Sequence, residues 1–269
     1  MSWKPRHEAH AIERVRVMLT FKDPLTSKAL KNASASAIAE AHEFGFDTII
    51  PAESMVGSFQ INLLGGIPSQ QIGSHENGVV FKRTQEGSVI EEVGFRDGGF
   101  GYVSATYGRW ENLLGRLREV VLPPLHQVEQ VADLASVKLE YWDSFTFDGK
   151  PTSADTTQLL SEVDRSVPTI VVTGASQWHS HIGWFEDIGG FQVLINRNID
   201  VADRESEGDQ VRALAIYTMV EIRAGNKGIE MVDIEEHLNS LHRRSLRLFG
   251  ETLSHEYRHM IGLNLVEYK

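Results

Sequence analysis

The sequence predicts an α+β protein built from two antiparallel-sheet modules, each packed by helices, with a long C-terminal helix. Alternating polar and apolar runs separated by glycine turns occur in both halves of the chain, and such alternation is typical of strands with one buried face. From Asp233 onward the apolar residues recur at helical spacing instead. A polar stretch at residues 148–157 separates the two patterns. We therefore expect an N-terminal α+β module at 1–150 and a C-terminal meander with its helix at 151–269.

The first half alternates between predicted strands and helices. Residues 12–21 alternate in polarity and end before Pro24, because proline donates no hydrogen bond to a sheet. A helix follows over residues 26–44, with Gly45 at its end. The segment 47–71 holds short apolar runs that predict one or two strands and a loop. The later elements are strands at 78–83, 88–95 and 99–106 joined by glycine turns, a helix at 110–122 ended by two prolines, and a strand at 128–147.

The second half also places strands before a helix. Asp233 and Glu236 are spaced as a capping box, which predicts the start of the C-terminal helix. Gly250 is expected to divide that helix, with a second piece at 252–262. Its later turns carry cations that suit the helix dipole, namely His242, Arg243, Arg244 and Arg247. Before it we expect a short helix at 153–163, strands at 178–185, 190–199 and 212–222, and a longer loop over the polar run 202–210.

The string His255-Glu256-Tyr257-Arg258-His259 matches the HExxH pattern of zinc hydrolases. Histidines four apart share one face of a helix, where His255 and His259 could bind zinc while Glu256 activates a water molecule. A catalytic zinc needs a third protein ligand, and the longer form of the motif would place it at Leu265, which cannot ligate. The competing interpretation is an amphipathic helix without metal. The cofactor prediction is therefore none, with zinc as the alternative and its third ligand sought among Asp233, Glu235, Glu236, His237 and His242.

A second histidine pair lies in the predicted strand that begins at Trp178. Side chains two residues apart lie on one face of a strand, so His179 and His181 suit either a metal site or the wall of a binding cleft. Trp178 and Trp184 are expected in the core, with a ligand cage as the alternative.

An acidic residue, Asp143, interrupts a strand rich in aromatic side chains. A carboxylate there must face solvent, pair with a cation such as Lys138, or line a cleft. The candidate contacts to a ligand or partner are accordingly His179, His181, Asp143, Trp178 and Trp184.

Composition narrows the function classes. The net charge is −11, from 37 acidic and 26 basic residues, and an acidic chain repels nucleic-acid phosphates. A local basic patch of Arg243, Arg244 and Arg247 keeps a nucleic-acid accessory factor as an alternative. Cysteine is absent, which excludes disulfides, thiolate zinc sites and cysteine nucleophiles. The first residues lack a signal-peptide core, and no apolar run approaches the ~20 residues of a membrane span, so we expect a cytoplasmic protein without a membrane partner.

Three short motifs follow one another along the chain. Tyr107 and Trp110 form a Tyr-x-x-Trp junction between strand and helix, residues 139–145 form a Leu-x-Tyr-x-Asp-x-Phe strand, and the final helix carries His242, Phe249 and Thr252. Together they resemble an uncharacterised, sporadically distributed bacterial family of similar length. The resemblance implies no assigned activity, and HExxH is not among that family's defining features. Its patchy distribution is typical of mobile-element or defence genes.

These observations predict a non-catalytic binding or accessory protein. Its partner is expected to be a protein, or a small ligand held between sheet and helix. A zinc-dependent hydrolase built on residues 255–259 is the first alternative, and it requires stoichiometric metal. A nucleic-acid-associated accessory factor is the second, and it requires salt-sensitive binding. A protein partner would instead require a broad exposed apolar patch.

Overall fold

The described strands join in one large antiparallel sheet, which confirms the α+β class. A computed structural model describes the backbone of residues 2–7, 10–60, 69–161, 167, 177–206, 208–225 and 228–263, and the side chains of these residues except 53–60, 69–76 and 206. The ten strands are β1 Trp3–Pro5, β2 Ile12–Phe21, β3 Thr48–Gln60, β4 Ser69–Gln85, β5 Ser88–Arg96, β6 Gly99–Ser104, β7 Leu134–Phe147, β8 Trp178–Ile188, β9 Phe191–Ser206 and β10 Asp209–Arg223.

Strand β7 is central to this sheet. The strand order is β3-β4-β5-β6-β2-β7-β10-β9-β8, with the short β1 also paired to β7. Strands β1 and β2 lie end to end along one edge of β7, and β10 lies along the other. The sheet is therefore continuous across the predicted boundary at 148–157. The division into two modules is not confirmed and stays a prediction.

Five helices are described, and the long C-terminal helix is among them. This helix, α4 (Ile234–Thr252), has the amphipathic pattern expected from the sequence, with Leu238, Leu241 and Leu248 buried. These side chains join strands and the earlier helices in one apolar cluster. No helix within the described ranges is long and apolar enough to cross a membrane. The helices are α1 Ser27–Glu40, α2 Trp110–Val120, α3 Leu122–His126, α4 Ile234–Thr252 and α5 His255–Met260.

Polar residues divide the core into two apolar clusters on one face of the sheet. Strand β7 contributes Leu139 to the first cluster and Phe145 to the second. Between these two positions, on the same face, lie Tyr141 and Asp143, because side chains two apart along a strand point the same way. Thr218 of β10 is paired with Tyr141, so it belongs to the same polar row. This row is where α4 meets the sheet.

The polar run at 202–210 was predicted to be a loop, and this prediction is wrong. Strands β9 and β10 continue through it and form a hairpin in which Ser206 lies opposite Asp209. Gly208, with φ of 88°, has the left-handed conformation that tight hairpin turns need. A cross-strand ion pair between Arg212 and Asp203 stabilises these polar strand ends.

Three predictions about helices also need correction. Residues 153–161 contain short single turns, because the Asp155 side chain accepts a hydrogen bond from the Thr157 amide (2.9 Å) and competes with helix formation; residues 162–163 lie outside the described ranges. Gly250 does not divide the C-terminal helix, which runs on to Thr252. Asp233 precedes α4, but its side chain makes no capping hydrogen bond. The predicted strand at 128–147 begins only at Leu134.

Candidate ligand pocket

A cavity of about 410 Å³ lies between the sheet and α4, at the polar row that divides the core. Its volume is within the roughly 300–1,000 Å³ that small-molecule pockets occupy. The sheet supplies four residues of the lining, α4 supplies four more, and the Tyr-x-x-Trp junction forms another side. These residues are Ile12, Tyr141, Asp143 and Thr218 from the sheet, His242, Ser245, Leu246 and Phe249 from α4, and Tyr107 and Trp110 from the junction.

Asp143 is the unusual member of this cavity. Its side chain is on the helix-facing side of β7, and the residue is 3% exposed. Within the described part of the chain the carboxyl group makes no hydrogen bond and no ion pair. Burial raises the pKa of Asp143 to about 8, because the charged form loses its hydration. The carboxyl group is therefore mainly protonated at neutral pH.

Tyr141, His242 and Trp110 form an interlocked group in the lining of the same cavity. The Tyr141 hydroxyl and Nδ1 of His242 share a hydrogen bond of 3.0 Å. The Trp110 indole is stacked on the imidazole, with ring centroids 4.2 Å apart, and its Nε1 donates to Asn239 at 2.7 Å. Burial, assisted by the nearby Arg243, lowers the pKa of His242 to about 4. The imidazole is therefore neutral at pH 7, not the helix-dipole cation that the sequence predicted.

One further residue of the lining, Thr218, has a polar side-chain atom without a partner among the described residues. The hydroxyl of Thr218, a residue 1% exposed, is buried and makes no hydrogen bond. His10 also lines the cavity, but its side chain is hydrogen-bonded to the backbone of Tyr107 and Ile12, and its ring lies edge-on against Tyr107 with centroids 5.8 Å apart. Burial, with a smaller contribution from His7, lowers the pKa of His10. Two polar side chains, Asp143 and Thr218, thus line one cavity without a hydrogen-bond partner in the part of the chain that the structure describes.

The formal charges around the cavity are distributed unevenly. Asp143 is the buried acid, whereas Arg109 and Glu111 lie exposed at the rim, where their opposite charges offset each other. Arg197 of β9 is buried near the polar row, but its guanidinium points to the C-terminal end of α4. There it donates to the Leu248 carbonyl at 3.1 Å and to the Thr252 hydroxyl.

The HExxH string forms the short helix α5, and residues 261–263, directly after it, line the cavity that holds Asp143. Ser254 caps this helix, and His255, Glu256 and His259 are exposed. The buried residue of the string is Tyr257, whose hydroxyl accepts a hydrogen bond from the Trp3 amide (2.8 Å) and donates to the Trp3 carbonyl (3.0 Å). Over the described ranges, no three histidine, aspartate or glutamate side chains are grouped to hold a metal. The metal site stays a prediction.

The remaining candidate contacts lie on β8, at one end of the strand order. His179 and His181 are exposed there, and Trp178 packs beside the second apolar cluster. Trp184 packs against the first cluster and donates through Nε1 to Glu186 at 2.9 Å. None of these four residues lines the cavity that holds Asp143. Their proposed contact with a partner is untested.

The predicted basic patch is largely neutralised by acidic neighbours. Arg244 forms an ion pair with Glu186, and Arg247 pairs with Glu251 at 2.8 Å along the same helix. Arg243 is exposed. A phosphate backbone would have to displace two acids before it could contact all three arginines.

Comparisons of the sequence with known proteins do not identify a ligand for this pocket. No model of a protein family matches the chain, and a search of curated proteins finds no match. The resemblance to a sporadically distributed bacterial family is therefore still a prediction.

Proposed function

We propose that the protein acts by binding, and that it holds a small ligand in the cavity between the sheet and α4. The observation that carries this proposal is the buried Asp143 carboxyl, which lines the cavity and has no partner within the described ranges. Burial of an unpaired acid destabilises a fold, so such groups are rare away from functional sites. The unpartnered Thr218 hydroxyl beside it supports the same conclusion.

Binding accounts for these groups better than catalysis does. His242 is held between Tyr141 and Trp110, and its pKa of about 4 makes it a weak base near neutral pH. The polar atoms left free are suited to hydrogen bonding with a ligand. A protein partner alone would not explain why they are buried in a cavity.

The proposal is tested by blocking the cavity. Leu246 is half-buried at the cavity wall, so Leu246→Trp should fill part of the space. Val232 is 83% exposed and outside the cavity, so Val232→Trp adds the same ring without affecting it. Saturation-transfer NMR of the wild type with a metabolite library should yield binders that Val232→Trp retains and Leu246→Trp loses. Binders that both variants retain, or a library without any binder, would refute the proposal. Near-ultraviolet circular dichroism checks that both variants are folded.

The zinc alternative has a separate test. Elemental analysis of untagged protein and of His255→Ala measures metal directly. About one zinc per chain, lost in the variant, would establish a metal site at α5. No metal in a folded wild type would retire the hydrolase hypothesis and leave the binding proposal unaffected.

A further inference from the structure

We infer that the ligand of the cavity is a small organic cation whose ammonium group binds at Asp143. This inference rests on the proposed function, because it names the class of ligand for the same cavity. Three independent features of the described residues carry it: the hydrogen-bonding character of the free polar groups, the charges around them, and the aromatic side chains of the wall.

The free polar groups accept hydrogen bonds. The Asp143 carboxylate is an acceptor when ionised, and the Thr218 hydroxyl has two acceptor lone pairs. An ammonium group carries donors and no acceptor, so it matches this set. A charge-assisted hydrogen bond to a carboxylate is about twice as strong as a neutral one. The ammonium group would therefore stabilise the ionised form of a carboxyl group that burial otherwise keeps protonated.

The charges around the cavity favour a cation over an anion. The buried charge-bearing group of the lining is an acid, and the rim pair of Arg109 and Glu111 has no net charge. An anionic ligand would meet the Asp143 carboxyl in this cavity, with a neutral His242 in place of a compensating cation. At longer range the net charge of −11 attracts cations and repels anions.

Aromatic side chains complete the match. Tyr107, Tyr141 and Phe249 line the same cavity as Asp143. The faces of aromatic rings attract cations within about 6 Å of the ring centre, and the attraction strengthens where water is excluded. The apolar remainder of an organic amine would pack against the same rings and against Leu246.

Binding of a cation at Asp143 should release a proton, whereas binding through shape complementarity alone would release none. Asp143 has a pKa of about 8 in the unliganded protein, so a bound cation should displace its proton at lower pH. The other titratable groups at the cavity are Tyr141 on β7, His242 on α4, His10 before β2 and Tyr107 before α2, with Arg109 and Glu111 at the rim. Among these, burial raises the pKa of Tyr141 well above its usual value of 10, lowers that of His242 to about 4, and lowers that of His10 from its usual 6.5. Proton release at neutral pH is therefore assigned to Asp143.

The experiment compares ligands that differ only in their charged group. Butylammonium, benzylammonium and tryptamine are titrated by calorimetry, each beside its matched alcohol and its matched carboxylate. We expect at least one ammonium compound to bind roughly 10–100-fold more tightly than its alcohol, as a charge-assisted hydrogen bond implies. The isosteric variant Asp143→Asn should lose that preference. Titration in two buffers of different ionisation enthalpy should show proton release for the wild type and none for Asp143→Asn.

The outcomes separate this inference from the proposed function. Alcohols or carboxylates that bind as well as the ammonium compounds, and that Leu246→Trp excludes, would overturn the cation and leave the pocket intact. Ammonium binding that Asp143→Asn retains undiminished would also overturn the inference. Ammonium binding that Leu246→Trp retains would place the ligand outside the cavity and refute both. Absence of ammonium binding at millimolar concentration counts against the inference as well, and the library screen then decides the proposed function.

Discussion

At the scale of single residues, Asp143 and His242 have pKa values displaced in opposite directions by the same burial. The folded protein keeps a proton on Asp143 up to a pKa of about 8, whereas an unfolded aspartate releases it near about 3.9. Stability contributed by Asp143 therefore falls as pH rises between these values. His242 has a folded pKa of about 4 and an unfolded one of about 6.5, so its contribution falls as pH drops. The two effects oppose each other below about pH 6.5.

The window above pH 6.5 isolates Asp143. Between pH 6.5 and 8 the free energy of unfolding of the wild type should decrease by up to about 2 kcal/mol from this group, at about 1.4 kcal/mol per pH unit. Asp143→Asn should lack that decrease, because asparagine has no proton to lose. Urea denaturation at the two pH values measures the difference. Parallel pH dependences of the two proteins would show that the carboxyl is not held protonated.

The window below pH 6.5 tests His242. Between pH 6.5 and 4.5 the His242 imidazole of the wild type binds a proton when the chain is unfolded but not when it is folded. This difference should lower the free energy of unfolding by up to about 3 kcal/mol. His242→Gln keeps a polar group near Tyr141 and does not titrate. The loss of up to about 3 kcal/mol that His242 causes on acidification should therefore be absent from this variant. Denaturation of Asp143→Asn and of the double variant serves as control, because Asp143 titrates in the opposite sense. Equal acid sensitivity of His242→Gln and the wild type would contradict the burial argument.

Only one of these two residues, Asp143, could be identified as unusual from the sequence. An acid within an aromatic strand breaks the local pattern, so Asp143 could be selected, and a cleft was one of its three predicted surroundings. His242 stands beside Arg243 and Arg244, where local composition indicates a charged helix surface. Its burial depends on how α4 sits on the sheet, which no local pattern records. The same holds for Thr218, which looks like any strand threonine.

At the scale of elements, α5 shows how a motif can have a structural role in the fold. The buried residue of HEYRH is its central tyrosine, which joins α5 to β1 across 254 residues of sequence. The histidines that attract attention in the sequence face outward. Spacing correctly places His255 and His259 on one helix face, but it does not reveal which face meets the protein.

This arrangement predicts unequal effects of substitution within one short helix. Tyr257→Phe removes two hydrogen bonds to Trp3 and leaves a buried amide unsatisfied, so it should lower stability by about 1–3 kcal/mol. His255→Ala and His259→Ala alter exposed residues, and each should change stability by less than about 0.5 kcal/mol in metal-free buffer. Urea denaturation ranks the three variants, and amide exchange at Trp3 should be faster only in Tyr257→Phe. A histidine variant as unstable as Tyr257→Phe would point to a structural role for the exposed side chains.

At the scale of the whole molecule, the central position of β7 sets the cooperativity of the fold. Alternation and turns allowed most strands to be located from the sequence. Strand order could not be predicted, because the pairing of β7 with both β2 and β10 joins segments far apart in the chain. Because both halves contribute strands to one sheet, we expect them to unfold together.

Fluorescence and circular dichroism test this cooperativity. Tryptophans occur in both predicted modules, with Trp3, Trp110 and Trp142 in the first and Trp178 and Trp184 in the second. Urea transitions followed by tryptophan emission and by far-ultraviolet ellipticity should coincide, as two-state unfolding requires. Two separated transitions would instead support the division at 148–157. A fragment of residues 1–150 should aggregate, because it would expose the β7 edge that normally pairs with β10.

The hydrogen bond between Tyr141 and His242 also has a consequence for biosynthesis. These partners are 101 residues apart, so at typical translation rates α4 leaves the ribosome about 5–20 s after β7. During that interval Asp143 is hydrated and ionised, like any aspartate of a nascent chain at neutral pH. Docking of α4 then buries the carboxylate, whose pKa rises to about 8. Completion of this protein in the cell is therefore accompanied by uptake of a proton from the surrounding medium.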